Sequence, residues 1–455
     1  MIKRLHQARS RSWSLSRSGL SVAVAAIALC AAAAVQAQSL TSIPAEKPSH
    51  TKHGKGVQPR PAPTASQPPS VTIPAEPLGF TAPGPLYLGM RNSLASLDFL
   101  DENRLLFTFR VPGLIRRDPA KADEDTERQI RVLVLALPAG SVVAEALWSV
   151  HDRSRYLWML RDGRFLFRDR DLLQEGDAAL ALKPTLRFPG PLTWLELDPS
   201  LQYLVTNSFE PEAATPPSGA VASPSTAAAT LTVDNPSPNP PKDTIVRILR
   251  RDSGKVMLVS RSRTAVHLPI NADGYLESLR ASGEQWVLNL NYFSGGSTIL
   301  GRVDSSCAPA LDFVAPRELL ATACDRLGAS KLVAIATDGR QLWQHASPPT
   351  SVWPLLVRSP DGSRVARESL TVDHPVNAYS PLESDDIKGQ LVEVLDAATG
   401  KVVLTASASP VLDAGGNVAI SPSGRRVAVI VSGAIQVFDL PPPPPLPGPA
   451  NPSTR

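Results

Sequence analysis

Short apolar runs separated by tight-turn residues recur along most of this chain. The two clearest copies lie near the C-terminus, where residues 357–362 read Val-Arg-Ser-Pro-Asp-Gly and residues 419–424 read Ala-Ile-Ser-Pro-Ser-Gly. A second apolar run follows each turn, and a later run in each copy ends in an acid, Asp396 or Asp439. Because Pro and Gly favour turns between short β-rich runs, the pattern predicts repeated units of antiparallel strands.

Residues 84–440 contain about seven such units of roughly 50 residues each. A radial arrangement of four-stranded antiparallel sheets protects most sheet edges, so the pattern predicts an all-β, seven-bladed β-propeller. A pair of β-sandwiches is the competing architecture. A solenoid is less favoured, because neither end of the repeats carries a recognisable cap.

The last unit supplies three strands within residues 418–438 and then runs into five consecutive prolines from Pro441. Proline lacks the N–H group that a further ladder would need. We therefore predict that an N-terminal strand, residues 85–90, crosses over to become the outer strand of the last blade and closes the ring.

The chain outside these units is low in complexity. Residues 1–37 have the basic, apolar and small-residue regions of a signal peptide; an uncleaved membrane anchor is the alternative, and a lipoprotein signal at Cys30 fits less well. Residues 38–83 are predicted to be a disordered Pro-rich linker, residues 210–242 a disordered insertion and residues 441–455 a disordered polyproline tail. The predicted location is periplasmic or extracellular.

Charge argues against a nucleic-acid partner. The whole chain has 46 basic and 42 acidic residues. Five of the basic residues lie in the signal segment, which contains no acid, so the remainder is nearly neutral. No stripe of Lys and Arg with interleaved aromatics is present, and we expect no nucleic acid and no membrane span after signal removal.

Two cysteines, Cys307 and Cys324, remain once Cys30 leaves with the signal. An even pair in an oxidising compartment favours a structural disulfide over two free thiols. The strand pattern places both residues near the open end of one hairpin, within reach of a cross-strand bridge.

The C-terminal units resemble the blades of WD-repeat-like and YVTN-type propellers. The Ser-Pro-Asp-Gly turn and the segment Val-Leu-Asp-Ala-Ala-Thr-Gly-Lys at 394–401 carry the resemblance, which covers about the last 130 residues well. Residues 332–343 end in Trp343 and resemble a pyrroloquinoline-quinone-type repeat, in which the Trp packs between blades. The Gly-His and regular Trp-Asp of true WD repeats are missing, so the resemblance implies the superfold only.

No motif for catalysis or for cofactor binding is present, and the sequence assigns no catalytic, cofactor-binding or metal-binding residue. Several residues and segments are nevertheless candidates for a site. Four histidines lie in different units and could converge in a central channel, although isolated histidines are the simpler interpretation. The acidic run 383–386 could ligate a hard cation, and residues 289–296 could form a contact patch; solvated loops explain both. The histidines are His151, His267, His345 and His374.

Three functions remain open at this point. The favoured one is an exported, non-enzymatic protein-binding or scaffold module that contacts another envelope protein. The second is a propeller enzyme, a lactonase-like hydrolase or a quinoprotein, with its site in the central channel. The third is a carbohydrate or cell-surface binding protein. Histidine and carboxylates converging in the channel would favour the enzyme.

Overall fold

The computed structural model describes residues 65–81, 95–117, 126–151, 155–209, 244–262, 266–325, 330–376, 386–411 and 416–444. These residues form β-strands joined by turns. In chain order the strands are β1 (Val71–Pro74), β2 (Ala95–Asp101), β3 (Arg104–Arg117), β4 (Thr126–Ala136), β5 (Ser141–Val150), β6 (Leu157–Met159), β7 (Phe165–Asp169), β8 (Leu172–Gly176), β9 (Leu182–Arg187), β10 (Leu192–Leu197), β11 (Tyr203–Phe209), β12 (Thr244–Arg250), β13 (Val256–Ser262), β14 (Gly274–Ser282), β15 (Gln285–Tyr292), β16 (Ser297–Asp304), β17 (Ala310–Ala315), β18 (Glu318–Cys324), β19 (Ser330–Ala336), β20 (Gln341–Ala346), β21 (Ser351–Arg358), β22 (Arg364–Val372), β23 (Ile387–Asp396), β24 (Val402–Ala408), β25 (Val418–Ile420), β26 (Arg426–Val431) and β27 (Ala434–Asp439).

The strands form seven antiparallel sheets, the blades of a seven-bladed propeller, as the sequence predicts. Blades 1, 2 and 3 are β2 to β5, β6 to β9 and β10 to β13; blade 4 is β14 to β16; blades 5 and 6 are β17 to β20 and β21 to β24. Blade 7 has the order β1-β27-β26-β25 and so joins both ends of the described chain. Within the described ranges, no helix is long and apolar enough to cross a membrane.

The core lies between the blades and runs around the ring. Seven clusters of buried apolar side chains each connect two neighbouring sheets, including one between blades 7 and 1. In the cluster between blades 7 and 1, Ile73, Phe107 and Ile435 are buried together. Each blade therefore depends on its neighbours for the burial of its apolar faces, which stabilises a closed ring.

The turn chemistry explains why the repeated units fold as they do. At 359–362 the Asp361 carboxylate accepts hydrogen bonds from the Ser359 hydroxyl at 2.6 Å and from the Ser363 amide at 2.9 Å. Gly362 has a φ of 76°, and a Cβ there would lie 2.9 Å from the carbonyl oxygen of Val314 in blade 5. The turn thus requires glycine both for its conformation and for its close contact with blade 5.

The ring closes through a different segment from the one that the sequence predicts. Residues 85–90 lie outside the described residues, and the outer strand of blade 7 is β1, in which Val71 pairs with Val437 and Pro74 with Ala434. The boundary predicted at residue 84 is therefore wrong, because part of the predicted linker belongs to the propeller. The physical reason is the side chain of Ile73, which is 5% exposed and packs in the core between blades 7 and 1. Pro74 is tolerated because it ends an edge strand.

Blade 4 has three strands, and residues 266–270 occupy the position of its inner strand. The Leu276 amide donates to the carbonyl of Pro269 at 2.9 Å, and Ile270 bridges to Tyr275. Pro269 has no N–H to return, so the ladder is interrupted there. This short segment places His267 on the inner side of the ring.

Two further sequence predictions have structural outcomes. Cys307 and Cys324 form a disulfide with a Cα–Cα distance of 5.6 Å, as predicted. Trp343 lies between blades 5 and 6, where its indole N–H donates to the carbonyl of Ala397 at 2.6 Å and its ring packs on Gly400. The likeness of this blade to the quinone-type repeat stays a prediction. Residues 210–242 and 445–455 lie outside the described residues, and β11 and β12, which flank the insertion, pair directly.

Candidate functional site in the central channel

The inner edges of all seven blades line one cavity of about 460 Å³. Side chains from β2, β6, β10, β17, β21 and β25 border it, together with His267 of blade 4. The volume lies in the range of small-molecule sites in proteins, roughly 300–1,000 Å³. The channel is therefore large enough to be a small-molecule site.

Six consecutive blades each place a charged or titratable side chain in this channel. Around the ring the groups alternate between acid and base in the order Asp98, Arg155, Glu196, His267, Asp312 and Arg358. Blade 7 contributes apolar side chains, among them Val418 and Ile420. Apolar inner strands thus carry a series of alternating charges over six blades, and each acid has at least one base on a neighbouring blade. We call these six residues the channel ring.

Glu196, His267 and Asp312 form the closest group within the channel ring. The His267 Nε2 atom lies 2.8 Å from a carboxylate oxygen of Glu196 and 3.9 Å from an oxygen of Asp312. The indole of Trp194 meets the imidazole edge to face, with ring centroids 5.0 Å apart, and so restricts its orientation. Three separate blades supply the three side chains.

Electrostatics in this group reflects burial and proximity together. Burial raises the pKa of Asp312 to about 6, and the nearby Glu196 carboxylate acts in the same direction. Burial by itself lowers the pKa of His267, but the hydrogen bond to Glu196 and the charges of both carboxylates raise it above its usual value. The imidazole therefore keeps its proton to a higher pH than an isolated histidine does.

The two arginines of the channel ring bind main-chain oxygens. Arg358 donates to the carbonyls of Phe313 and Leu197, each at 2.7 Å. Arg155 donates to the carbonyl of Leu157 at 2.8 Å and lies over the ring of Trp158, 5.5 Å from its centroid. Burial lowers the pKa of each arginine, and neighbouring carboxylates oppose that effect.

Asp98 completes the channel ring beside Arg155. Its carboxylate accepts a hydrogen bond from the Ser96 hydroxyl at 2.7 Å. Burial raises the pKa of Asp98 to about 6, against the opposing effects of Arg155 and Ser96. The channel thus offers carboxylates, guanidinium groups and an imidazole toward one enclosed volume.

The structure brings only one of the four candidate histidines, His267, into the channel. His151 pairs with Asp169 at 3.0 Å between blades 1 and 2. His345 lies 3.9 Å from Glu393, and burial lowers its pKa. His374 is exposed beside Asp373. Three of the four histidines are therefore isolated from the channel, as the simpler interpretation of the sequence held, and one histidine converges with two carboxylates.

Of the other two candidate segments, the described residues lie away from the channel lining. Within residues 289–296, Asn291 bonds to Asn289 and Glu277 on blade 4. Of the acidic run, residues 383–385 lie outside the described residues, and Asp386 lies 4.0 Å from His374 at the surface. Neither residues 289–296 nor Asp386 borders the central cavity.

Sequence reasoning missed five members of the channel ring. A signal was present in three of them: Asp98, Glu196 and Asp312 each stand between apolar residues in an inner strand. A carboxylate flanked by buried positions in the first strand of a unit must face the axis of a propeller. Arg155 and Arg358 carry no comparable signal.

Comparisons with known proteins bear on the fold only. No protein-family model matches the chain, and no curated protein matches it. Similar solved structures include an acylaminoacyl peptidase from Pyrococcus horikoshii, with 12% identity over 74% of this chain and a TM-score of 0.43. This chain spans 49% of that peptidase. Others are TolB from Acinetobacter baumannii (14% identity, 72% of this chain and 79% of that one, TM-score 0.35) and the WD40 domain of Toxoplasma gondii coronin (9%, 77% and 89%, 0.39).

Proposed function

We propose that this protein is an exported binding module whose central channel takes up a small zwitterionic solute, such as a free amino acid or the end of a peptide. The propeller fold supports a binding or scaffold role. The observation that carries the proposal is the channel ring, in which acids and bases alternate around one cavity.

The chemistry of the channel ring suits a ligand that has both charges. A guanidinium group binds carboxylates through directed, charge-assisted hydrogen bonds, and carboxylates bind ammonium groups. Arg155 and Asp98 are adjacent, with Trp158 and Arg168 alongside them in the channel lining. A zwitterion placed there would meet a partner for each of its charges and an aromatic surface for its carbon atoms.

Export is supported by the signal-like segment and by the disulfide. Disulfides persist in oxidising compartments, and Cys307–Cys324 joins the start of blade 5 to its second strand. Outside the cytosol, the central channel of the propeller would be in contact with solutes of the envelope or of the medium.

Calorimetry with a defined panel tests the proposed function. The panel is free amino acids, dipeptides, dicarboxylates and diamines, each titrated into protein held in EDTA. We expect zwitterions to bind. Asp98→Asn should lower their affinity at least about tenfold, because the variant loses one hydrogen bond to a charged group. The matched control is Arg164→Gln, which removes an exposed ion pair with Glu175 outside the channel. Failure of every zwitterion to bind, or equal binding by Asp98→Asn, would refute the proposal, and conversion of a bound solute would support the enzyme instead.

A protein-binding scaffold is the second candidate, because the outer face of blade 1 exposes apolar side chains. On its edge strand β5, Val143 and Leu147 are each 56% exposed. Exposed apolar groups on an edge strand favour contact with another protein. A photo-crosslinking amino acid at Leu147, compared with one at Arg187 on blade 2, should capture a discrete envelope partner only from blade 1. Equal labelling from both positions would argue against the scaffold.

A further inference from the structure

Glu196, His267 and Asp312 have the donor types and spacing of a metal site. One ligand atom from each side chain lies within 4.8 Å of the other two. The three donors are one imidazole nitrogen and two carboxylate oxygens, a set that serves divalent transition cations such as zinc.

The distances agree with a tetrahedral ion. Ligand atoms about 2.1 Å from a zinc ion lie about 3.4 Å apart when the geometry is tetrahedral. The observed separations from His267 Nε2, 2.8 Å to Glu196 and 3.9 Å to Asp312, lie on either side of that value. The third separation, between carboxylate oxygens of Glu196 and Asp312, is at most 4.8 Å, so small side-chain adjustments would bring the three donors to one ion.

Asp312 gives a second indication that this group receives a ligand. Within the described residues its carboxylate has no hydrogen bond, and its only ion pair is the 3.9 Å approach to His267. Arg358 lies beside it but donates to the main-chain carbonyls of Phe313 and Leu197 instead. Because its side chain is 34% exposed, this carboxylate remains accessible to a cation or another ligand from the channel.

The origin of the three side chains argues in the same direction. They come from β10, from residues 266–270 and from β17, which belong to three consecutive blades. Local turn geometry cannot bring such residues together, whereas the turn at Asp361 and the surface pair Asp373–His374 are explained by sequence proximity. Trp194 restricts the imidazole, and the cavity leaves room for a further ligand on the open side.

We propose that Glu196, His267 and Asp312 bind one divalent transition cation, zinc in the first instance, in the wall of the central channel. The inference rests on the proposed function, because it specifies what occupies one side of the same channel. The bound cation would leave Arg155 and Asp98 free on the other side, and its open coordination position would face the solute. Two carboxylates and a neutral imidazole neutralise the cation, so no net charge is buried.

Zinc titration of the whole protein tests this inference. The protein is stripped with EDTA, dialysed free of chelator, and titrated with ZnCl₂ by calorimetry and by competition with a chromogenic chelator. We expect one equivalent to bind with a Kd below about 10 µM. His267→Ala and Asp312→Asn should each weaken binding at least about tenfold.

The matched control is His374→Ala, which alters the exposed group of one His and two acids near the surface. It should leave the high-affinity equivalent unchanged. If His267→Ala proves poorly folded, the isosteric variant Asp312→Asn replaces it. Zinc-edge X-ray absorption of the wild type then gives an independent test, and we expect it to show one nitrogen ligand with oxygen as the remaining ligands. Absence of binding at about 1 mM zinc, or an equivalent lost in His374→Ala and kept in His267→Ala, would overturn the inference.

The two proposals can fail separately. The solute panel is titrated in EDTA, and the zinc titration contains no solute. Zwitterion binding without zinc binding would remove the metal site and keep the proposed function. The solute panel is also titrated with zinc present. If zinc binds but no panel member does under either condition, the proposed function is refuted and the metal site is retained.

Discussion

Two groups in this molecule have nearly the same composition and different surroundings. The channel group is Glu196, His267 and Asp312, and the surface group is Asp373, His374 and Asp386. In the channel group three blades supply the residues. In the surface group Asp373 and His374 are adjacent in the chain, with Asp386 4.0 Å from the imidazole.

The surroundings give the acids opposite electrostatic behaviour. Hydrogen bonds from Lys388 and His374 lower the pKa of Asp373. Burial raises the pKa of Asp312 to about 6. The surface acid therefore has cations within hydrogen-bond distance and is 48% exposed, whereas the channel acid is 34% exposed and its nearest cationic group lies 3.9 Å away. The same residue types therefore indicate a candidate site only where the fold leaves them with fewer hydrogen-bonding cations and less water than at the surface.

Replacing the basic side chain beside each group should produce the largest difference in thermal stability. Arg358→Met leaves two main-chain carbonyls without donors and the Glu196 and Asp312 charges without their neighbour. We expect a loss of about 3 kcal/mol, or roughly 6 °C in Tm, measured in EDTA by scanning calorimetry. Lys388→Met, the surface counterpart, should change Tm by less than about 1 °C, because exposed pairs contribute little. Equal shifts in the two variants would show that the channel is as hydrated as the surface.

The pH dependence of stability should differ in sign between Asp98 of the channel ring and Asp373. Asp98 has a folded pKa of about 6 against an ordinary value of 3.8, so the unfolded chain ionises first as pH rises through this interval. Its contribution to stability is present below pH 3.8 and is lost by about pH 6. Asn does not titrate, so Asp98→Asn does not lose stability in this way. The Tm of the variant minus the Tm of the wild type should therefore increase as pH rises from 3.8 to about 6.

Asp373→Asn is the control and should show the opposite trend. The folded pKa of Asp373 is lowered, so its contribution is present above its ordinary pKa of 3.8 and disappears as pH falls further. The Tm of this variant should therefore fall slightly behind the wild type as pH rises toward 3.8, and the difference should stay constant above that value. A Tm difference for Asp98→Asn that stays constant with pH would mean that this carboxyl titrates normally.

Salt should produce the smallest effect and should act on the surface group only. The Lys388–Asp373 pair, 2.9 Å apart, faces solvent and is screened at high ionic strength. A double-mutant cycle of Lys388→Met and Asp373→Asn should give a coupling of under about 1 °C in Tm that vanishes in about 1 M NaCl. The Arg358→Met shift should persist in the same buffer, since enclosed charges are poorly screened. A coupling that survives high salt would place the surface group in a less hydrated environment than its exposure suggests.

The parts of the fold that sequence reasoning predicted rest on local signals. Ser-Pro-Asp-Gly turns and alternating apolar runs specify strands and hairpins within about ten residues. The disulfide follows from the same reasoning, since Cys307 and Cys324 flank one hairpin. Trp343 packs between blades as the resemblance implied, because a short turn brings Gly400 of the next blade against it.

The closing strand escaped prediction because its signal is short and its partner is distant. Val-Thr-Ile-Pro at 71–74 stands in a Pro-rich stretch and pairs with a strand more than 350 residues later in the chain. Four residues have too little pattern to separate a strand from a linker. Burial of Ile73 between two blades decides the matter, and that burial exists only once the ring is assembled.

By itself the sequence determined the unit of this protein: strands, turns, one disulfide and a ring of about seven repeats, all of which depend on neighbouring residues. Tertiary structure alone decided which residues meet. Glu196, His267 and Asp312 are dozens of residues apart, and nothing within their separate units shows that the three side chains lie together. Radial arrangement turns the inner edge of every blade toward one axis, so that residues distant in the chain share a cavity, an environment and a candidate function.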